Sequence, residues 1–502
     1  MSIDYLVLIG QQFVAVLSDP WSVFLVFSGG LVGLLTGVIP GLTATMALAL
    51  LISASYGMEL QHAVVFLLGV YMGVYSGGLC SSIMLNIPGT PAAAATALDG
   101  FPLAKKGMGG LAIGTGVIAS FLGSMFSLFI LMLLTPLIYP LAMKFGNWEM
   151  FLIALFGIMI SGSISNDKDP IKGWIVGFVG FALAMVGSEI IYAYPRFTLG
   201  SVNLKGGIPL IPTLIGMFGI SEVLCVLRED VAYKIEGKIG RIVPTFKEYK
   251  PLFPATIRSS LIGFLIGIIP GVGEDVGAWV SYDVGKKRSK QGDKFGTGVL
   301  EGVVCAEVAD NAVVGGCMVP VLTLAVPGSP PSAMFLAAMM LHGVRCGPML
   351  NMETPFFLPL VGVSLILASC AILFWGLLLA RPLVAMLKVK RELLMPLIIP
   401  LTIIGAFASN GKIFDVYVML GAGVMGYIFR QLEYPMAPLV LGLILGPMAD
   451  EKFRSALMQS RGEILPLLQR PIGLILMLCI AWMIWKGVKR AKEYYRVLDS
   501  TE

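Results

Sequence analysis

Two short segments combine helix-breaking residues with small hydroxyl side chains inside long apolar runs: Asn86-Ile-Pro-Gly-Thr-Pro91 and Ala325-Val-Pro-Gly-Ser-Pro330. Proline removes a backbone donor and glycine accepts unusual dihedral angles, so each segment ends a helix and frees backbone amides. Free amides at the start of the next helix attract a carboxylate or phosphate. The alternative is an ordinary turn at the membrane surface. The predicted substrate-binding residues are Ser81, Ser82, Asn86, Pro88, Gly89, Thr90, Pro91, Pro327, Gly328, Ser329 and Pro330.

Carboxylates also lie within apolar sequence. Glu274 and Asp275 follow the break Pro270-Gly271, and Asp310-Asn311 lies in the run 295–317. A carboxylate at the centre of a bilayer costs about 2.5–3.5 kcal/mol, so it commonly marks a cation or proton site. Asp310 and Asn311 offer the oxygen ligands that sodium, a hard cation, prefers. The predicted ion-coupling or cavity group is Pro40, Gly41, Thr43, Pro270, Gly271, Glu274, Asp275, Asp310 and Asn311, and the same stretch also holds Glu301 and Glu307.

Glu274 and Asp275 have a second interpretation. The basic cluster Lys286, Lys287 and Arg288 follows them in the sequence. If all five residues lay at the membrane surface, the two carboxylates would simply pair with this cluster. The sequence leaves both interpretations open.

Composition sets the class of protein. Of 502 residues, 57% are hydrophobic and 13% are charged. A soluble domain has about a quarter charged residues, so this composition indicates a polytopic membrane protein in contact with lipid. The net charge of +5 comes without a basic patch interleaved with aromatic residues, so we do not expect nucleic-acid binding.

The elements that carry these segments occur twice. Gly33-Leu-Leu-Thr-Gly-Val-Ile-Pro-Gly41 recurs as Gly263-Phe-Leu-Ile-Gly-Ile-Ile-Pro-Gly271. Three further landmarks follow in the same order in both halves, namely Pro88-Gly-Thr-Pro91 with Pro327-Gly-Ser-Pro330, Ser165-Asn166 with Ser409-Asn410, and Pro212 with Pro438. Internal repeats with interrupted helices are typical of transporters that bind substrate at the repeat interface.

We therefore predict an all-α polytopic membrane protein with two homologous, inverted repeats, broken helices, re-entrant hairpins and about 12 membrane segments. Basic residues place the longest hydrophilic loop and the C-terminal tail in the cytosol. The predicted units are an interfacial helix (1–20), repeat 1 (21–227), a cytosolic linker (228–256), repeat 2 (257–450), and a C-terminal membrane helix with its tail (451–502).

The same motifs resemble the TctA family, the large membrane subunit of the tripartite tricarboxylate transporters. The resemblance rests on Gly37-Val-Ile-Pro-Gly41, Leu85-Asn-Ile-Pro-Gly-Thr-Pro91, Ala97-Leu-Asp-Gly-Phe-Pro-Leu-Ala-Lys-Lys-Gly107, Gly267-Ile-Ile-Pro-Gly271, Leu324-Ala-Val-Pro-Gly-Ser329 and Met340-Leu-His-Gly343. It implies a secondary carrier in the bacterial inner membrane, driven by a sodium or proton gradient. It also implies a small four-helix membrane subunit and a periplasmic binding protein that delivers a carboxylate such as citrate.

We therefore expect uptake of a small carboxylate by alternating access around the paired Pro-Gly breaks, with no cofactor beyond the coupling ion. An anion channel or exporter acting alone is the second hypothesis, and an intramembrane enzyme is the third. The chain contains no GxxxxGK[ST], GxSxG or HExxH motif. We accordingly predict that the protein is not an enzyme.

Overall fold

The computed structural model describes residues 3–165, 169–227, 239–387 and 395–499. Asn166 of the repeated Ser-Asn landmark and the first part of the predicted linker lie outside these residues. The described chain is helical apart from one short antiparallel pair of strands, β1 (Gly187–Ser188) and β2 (Pro195–Arg196). Nine described helices are long and apolar enough to cross a membrane, and six apolar helices are shorter. The prediction of an all-α polytopic membrane protein is confirmed.

The helices divide into two halves. The first half comprises α1 (Ile3–Ser18), α2 (Pro20–Val38), α3 (Ala44–Ser55), α4 (Leu60–Leu85), α5 (Ala93–Lys105), α6 (Gly109–Ala142), α7 (Asn147–Ser165), α8 (Pro170–Ala184), α9 (Val202–Lys205), α10 (Leu210–Ile215) and α11 (Ser221–Val226), with a π-helical turn (Gly216–Ile220) between α10 and α11. The second half comprises α12 (Phe246–Tyr249), α13 (Phe253–Ile268), α14 (Gly273–Arg288), α15 (Leu300–Leu324), α16 (Pro330–Leu341), α17 (Leu350–Glu353), α18 (Phe357–Leu378), α19 (Ala380–Met386), α20 (Met395–Asn410), α21 (Ile413–Gln431) and α22 (Met436–Gln459). The chain ends with α23 (Leu465–Leu468) and α24 (Pro471–Asp499).

The same backbone irregularities occur in both halves. The helices α4 and α15 both end on a left-handed residue that is not glycine, Asn86 with φ 58° and Ala325 with φ 56°. A left-handed alanine costs roughly 1–2 kcal/mol, so the surrounding packing must impose it. The tips Gly41 and Gly271 are also left-handed, with φ 93° and 75°. Equivalent positions therefore adopt equivalent conformations, as the sequence repeat predicts.

The two repeats run in opposite directions. Side-by-side contacts show that α6 is antiparallel to α4 and parallel to α15. The contacts are Gly109 with Met84 and Gly116 with Leu79 for α4, and Gly123 with Val308 and Tyr139 with Leu322 for α15. The helices α4 and α15 are equivalent in the repeat, and they run in opposite directions. The two halves are therefore related by a pseudo-two-fold axis perpendicular to the helices. This is the geometry of an inverted repeat.

The first break of each repeat is the tip of a helical hairpin. Here α2 runs parallel to α4, and α13 runs parallel to α15. In the second repeat α14 returns antiparallel to α15, with Gly277 beside Val313 and Gly285 beside Cys305. In the first repeat the residues that join α3 to α4 are too few to return along α2, so α3 itself must turn back. Pro40-Gly41 and Pro270-Gly271 therefore form hairpin tips.

The glycine ridge of α2 permits backbone contact with α4. A Cβ added at Gly37 would lie 2.1 Å from the Val74 carbonyl oxygen. We expect Gly37→Ala to destabilise the protein by about 1–3 kcal/mol through overpacking. Gly10→Ala in α1 is the matched control because nothing lies within 4 Å of its added Cβ. Thermal unfolding in detergent checks this, and equal melting temperatures of the two variants would contradict the packing.

Basic side chains gather at one end of the bundle, where α6 begins. The Gly110 amide at the start of α6 donates to the Ile239 carbonyl of the linker, and Lys106 donates to the Thr297 carbonyl. Backbone and side-chain hydrogen bonds from Thr245, together with one from Arg241, lower the pKa of Glu248 to about 2. The basic residues at this end are Lys105, Lys106, Arg241, Lys247, Lys250, Arg258, Lys286, Lys287, Arg288, Lys290 and Lys294. We call it the basic end.

The opposite end contains the ends of α3 and α16. There the Ser55 hydroxyl lies 3.2 Å from the His342 ring nitrogen Nε2. Since α4 begins only five residues after Ser55, and its far end reaches the basic end, this contact marks the other side of the bundle.

Candidate functional site

The tip of the second hairpin places Glu274 in the centre of the protein. The Glu274 side chain is 1% exposed. Its carboxylate accepts hydrogen bonds from the hydroxyls of Tyr71 at 2.5 Å, Tyr75 at 3.0 Å and Ser329 at 3.0 Å. The tyrosines belong to α4 of the first repeat, whereas Ser329 begins α16 of the second. One carboxylate therefore joins a hairpin tip, a Pro-Gly-Ser break and the opposite repeat.

Asp275 extends this contact to the break of the first repeat. The backbone N–H of Ala92, one residue before α5, donates to the Asp275 carboxylate. In contrast to Glu274, Asp275 is exposed. We call Tyr71, Tyr75, Glu274, Asp275 and Ser329 the central site. It lies where both repeats bring their helix breaks together.

Glycine allows each break to touch its own hairpin. A Cβ at Gly89 would lie 2.2 Å from the Gly37 carbonyl oxygen, and one at Gly328 would lie 2.6 Å from the equivalent Gly267 oxygen. In the second repeat the Gly271 amide also donates to the Pro327 carbonyl at 3.2 Å. These close approaches hold the two kinds of break together within each repeat.

Asp310 is a buried carboxylate without a partner. It is 1% exposed, and neither of its oxygens has a hydrogen-bond partner within the described residues. Its neighbour Asn311 accepts from the Ser76 hydroxyl at 3.1 Å and donates to the Glu307 carbonyl at 3.2 Å. An ionised carboxylate in such a place is strongly disfavoured unless a proton or a cation neutralises it. A proton or a cation at Asp310 would therefore stabilise this part of the protein.

Glu307 is a fourth carboxylate in this region and lies one turn before Asp310 on α15. It is fully buried and accepts from Thr96 at 2.5 Å and Ser120 at 3.2 Å, both in the first repeat. We call Glu274, Asp275, Glu307 and Asp310 the central carboxylates. In the described part of the chain none of the four forms an ion pair with lysine or arginine. The centre therefore has an excess of acidic groups.

The structure contradicts the second interpretation of Glu274 and Asp275, in which they pair with the basic cluster Lys286, Lys287 and Arg288. They begin α14, and the basic cluster ends it, about 18 Å away along the helix. Lys287 instead pairs with Asp283 on its own helix. The Asp275 and Glu274 carboxylates have partners at the opposite end of α14, so they do not pair with that cluster.

The structure places the other predicted substrate-binding and ion-coupling or cavity residues at the breaks, on α4 or between helices. Thr90, Pro327, Gly328 and Ser329 are buried at the breaks, and Thr43 caps α3 by accepting from the Met46 amide. Ser81 and Ser82 are buried on α4; Ser81 donates to the Gly78 carbonyl of its own helix, and the Ser82 hydroxyl has no partner among the described residues. Asn86 and Pro91 are exposed, Pro330 is the first residue of α16, and the remaining residues Pro40, Gly41, Pro88, Gly89, Pro270 and Gly271 lie between helices. Their roles in binding stay predictions.

Several residues of the site were missed by the sequence analysis. Tyr71 and Tyr75 lie in an uninterrupted apolar helix, where a tyrosine usually indicates packing. Their spacing of four residues puts both hydroxyls on one helix face, and this spacing was the available hint. Thr96 and Ser120 bind Glu307 across long sequence separations, which no local pattern reports.

Asp99 joins the repeats at the basic end. It is fully buried on α5, and one oxygen accepts from the amides of Gly296, Gly298 and Val299 at 2.8–3.0 Å. Its other oxygen accepts from the Tyr282 hydroxyl at 2.7 Å. This carboxylate fixes the loop before α15 to α5, the helix that follows Pro88-Gly89.

Asp99→Ala should therefore be strongly destabilising. It leaves the buried Tyr282 hydroxyl and three partly buried amides without an acceptor, at a cost of up to about 1–3 kcal/mol for each unsatisfied group. The control is Asp293→Ala, an exposed acidic residue near the same loop. We expect the melting temperature in detergent to fall by several degrees for Asp99→Ala only. Equal stability of both variants would refute the role of these four hydrogen bonds.

Comparison with known proteins identifies the family. The model of the tripartite tricarboxylate transporter TctA family matches residues 23–441. The chain belongs to the TctA family. It is 30% identical over 456 residues to an uncharacterized 52.8 kDa protein in the TAR-I ttuC' 3' region of Agrobacterium vitis, with 90% of each chain covered.

A second relative from the same organism, an uncharacterized protein in the TAR-II ttuC' 3' region, is 31% identical over 241 residues, which are 47% of this chain and all of the relative. No solved structure matches the chain. The family is one of tripartite transporters, so this TctA chain is a multi-pass membrane component of a transporter. The described residues hold no group of three or more histidine, cysteine, aspartate or glutamate side chains suited to a metal ion.

Proposed function

We propose that this TctA protein takes up a small di- or tricarboxylate by alternating access, driven by a cation gradient. The substrate would bind at the central site, between the hairpin tips and the Pro-Gly breaks. The observation that supports this most is the buried, unpartnered Asp310 in a centre where both repeats meet. The family supports transport, and the central carboxylates support coupling.

Electrostatics explain why a cation would be required. An anionic substrate would meet Glu274 and Asp275 beside the helix N-termini that are meant to attract it. The partial positive charge of a helix N-terminus is about half an elementary charge, which is too little to offset several carboxylates. Binding of cations or protons to the central carboxylates would remove this repulsion. Substrate and cation would then bind together, which is the condition for symport.

Asp310 and Asn311 are the proposed site of the coupling ion. Neither Asp310 oxygen has a hydrogen-bond partner within the described residues, and Asn311 follows it on α15, although the Asn311 side-chain oxygen already accepts from Ser76. Oxygen ligands suit sodium, and a proton satisfies the same carboxylate more simply. The ion is therefore sodium or a proton, and the dependence of uptake on sodium and pH separates the two.

The packing of the two hairpins differs, which supports alternating access. In the first repeat α3 packs against α10, α16 and α20. Its equivalent α14 packs against α5, α13 and α15, while Asp275, Trp279, Asp283 and Lys287 form an exposed stripe along it. This stripe runs from the central site to the basic end and contains polar residues that lipid would not favour. It is a candidate water-filled path toward that end.

By the positive-inside rule the basic end faces the cytosol, so the exposed stripe of α14 would open inward. We place the protein in the bacterial inner membrane, with a small four-helix membrane subunit and a periplasmic binding protein that delivers the substrate. The word tripartite in the family description supports further subunits.

Uptake into proteoliposomes tests the proposal. The full chain is reconstituted with its two partner subunits and offered labelled citrate or succinate. We expect accumulation above the external concentration under an inward sodium or proton gradient, and collapse of that accumulation with the matching ionophore. Downhill flux alone would favour a channel, outward-only movement an exporter, and chemical change of the substrate an enzyme.

A further inference from the structure

A cavity lined by both polar and apolar residues opens at the end opposite the basic end. It has a volume of about 530 Å³ and lies between the end of α16, the start of α10 and the turn from α20 to α21. Its polar lining residues are Asn203, Ser409, Asn410, Lys412 and Asp415. Lipid would not favour such a lining, so the cavity faces water.

Lys412 is the cationic residue of this cavity. Its side chain is exposed and forms no ion pair within the described residues. The cavity also contains Asp415, but that carboxylate is buried and accepts from the Asn410 amide at 2.7 Å and the Ser409 hydroxyl at 3.4 Å. The Asp415 carboxylate thus binds residues of its own turn, whereas the Lys412 ammonium group is free to bind an anion.

The cavity is also linked to the central site by a helix. It is lined by Ala337, Met340 and Leu341 near the end of α16, and the same helix begins at Ser329, which touches Glu274. Twelve helical residues separate the two points, about 18 Å. A molecule in the cavity would therefore be one helix length from the central site.

We propose that this cavity is a capture subsite for the carboxylate substrate, with the Lys412 ammonium as its anion-binding group. The proposal rests on the proposed function. Because the central carboxylates repel an anion, a positive charge at the entrance supplies the attraction that the centre lacks. The subsite raises the local concentration of the substrate on the side opposite the cytosol and does not take part in coupling.

Uptake kinetics test this inference. In the reconstituted transporter, Lys412→Gln should raise the half-saturating concentration of citrate about three- to fivefold, as expected for loss of one exposed ion pair. The maximal rate should stay unchanged. Lys412→Arg should behave as the wild type. Lys205→Gln is the matched control because Lys205 is an exposed lysine on α9 that does not line the cavity.

Salt provides an independent readout. Added potassium chloride should raise the half-saturating concentration of the wild type and have less effect on Lys412→Gln, since salt screens exposed charges. An unchanged half-saturating concentration in Lys412→Gln, or an equal shift in Lys205→Gln, would overturn the subsite while leaving the proposed function intact. Absence of concentrative uptake by the wild type would instead overturn the proposed function and this inference with it.

Discussion

Glu274→Gln is expected to reduce cation-driven accumulation at least tenfold, equivalent to about 1.4 kcal/mol. The glutamine keeps the size of the side chain and still accepts from Tyr71 and Ser329, but it removes the charge that would bind the cation. The fold should survive because the Tyr75 hydroxyl, which donates to the second Glu274 oxygen, can instead accept from the glutamine amide. The measurement is initial and steady-state uptake of labelled citrate in proteoliposomes, normalised to reconstituted protein.

The matched control for Glu274→Gln is Asp283→Asn on the same helix. Asp283 is exposed and pairs only with Lys287, so its neutralisation should leave uptake within the error of the wild type. Tyr71→Phe should have an intermediate effect, because Glu274 then loses one of three hydrogen bonds. Full accumulation by Glu274→Gln would remove this carboxylate from the coupling mechanism.

Asp310→Asn should stabilise the protein and, like Glu274→Gln, reduce cation-driven accumulation. A buried carboxylate without a partner is destabilising, so a neutral side chain of equal size should stabilise the protein by about 1–3 kcal/mol. The same change removes the negative charge that would hold the coupling ion. We therefore expect a higher melting temperature together with loss of concentrative uptake.

Ligand-dependent unfolding separates these effects. If the wild type binds the coupling ion at Asp310, an ion concentration one hundred times the dissociation constant should stabilise it by about 2.7 kcal/mol. Asp310→Asn should lack this stabilisation, whereas Glu301→Gln near the basic end of the same helix should keep it. A destabilised Asp310→Asn variant that retains the ion-dependent shift would show that the ion binds elsewhere.

The sequence predicted the features that depend on local chemistry. Consecutive proline and glycine commonly interrupt a helix, so the breaks at Pro40, Pro88, Pro270 and Pro327 were visible without a structure. Their order in both halves also predicted the repeat. It did not show which breaks are hairpin tips, because that depends on the parallel packing of α2 with α4 and of α13 with α15.

Long-range contacts were beyond sequence reasoning. Tyr71 lies 203 residues from Glu274, and Asp99 lies 183 residues from Tyr282. No local sequence pattern predicts the partner of Tyr71 in its apolar helix or of Asp99 after its run of alanines. The ambiguity of Glu274 had a similar cause, since its distance from the basic cluster depends on an unbroken α14.

The inverted repeat orients its two equivalent hairpins in opposite directions. The hairpin α2–α3 points its tip the opposite way from α13–α14, so one central site has a helix path toward each end. In the described conformation α3 is covered by its neighbours and α14 exposes a polar stripe. Exchange of these two packings between the repeats would turn the opening from one end to the other.

In the proposed mechanism, a cation at the central carboxylates permits an anion to bind beside them. Calorimetric titration of citrate into the purified protein at several sodium concentrations and pH values measures this coupling. Linkage is reciprocal, so the dissociation constant of citrate should fall at least tenfold as the coupling ion saturates the wild type. It should stay constant in Asp310→Asn. A citrate affinity in the wild type that is independent of both sodium and pH would rule out this coupling.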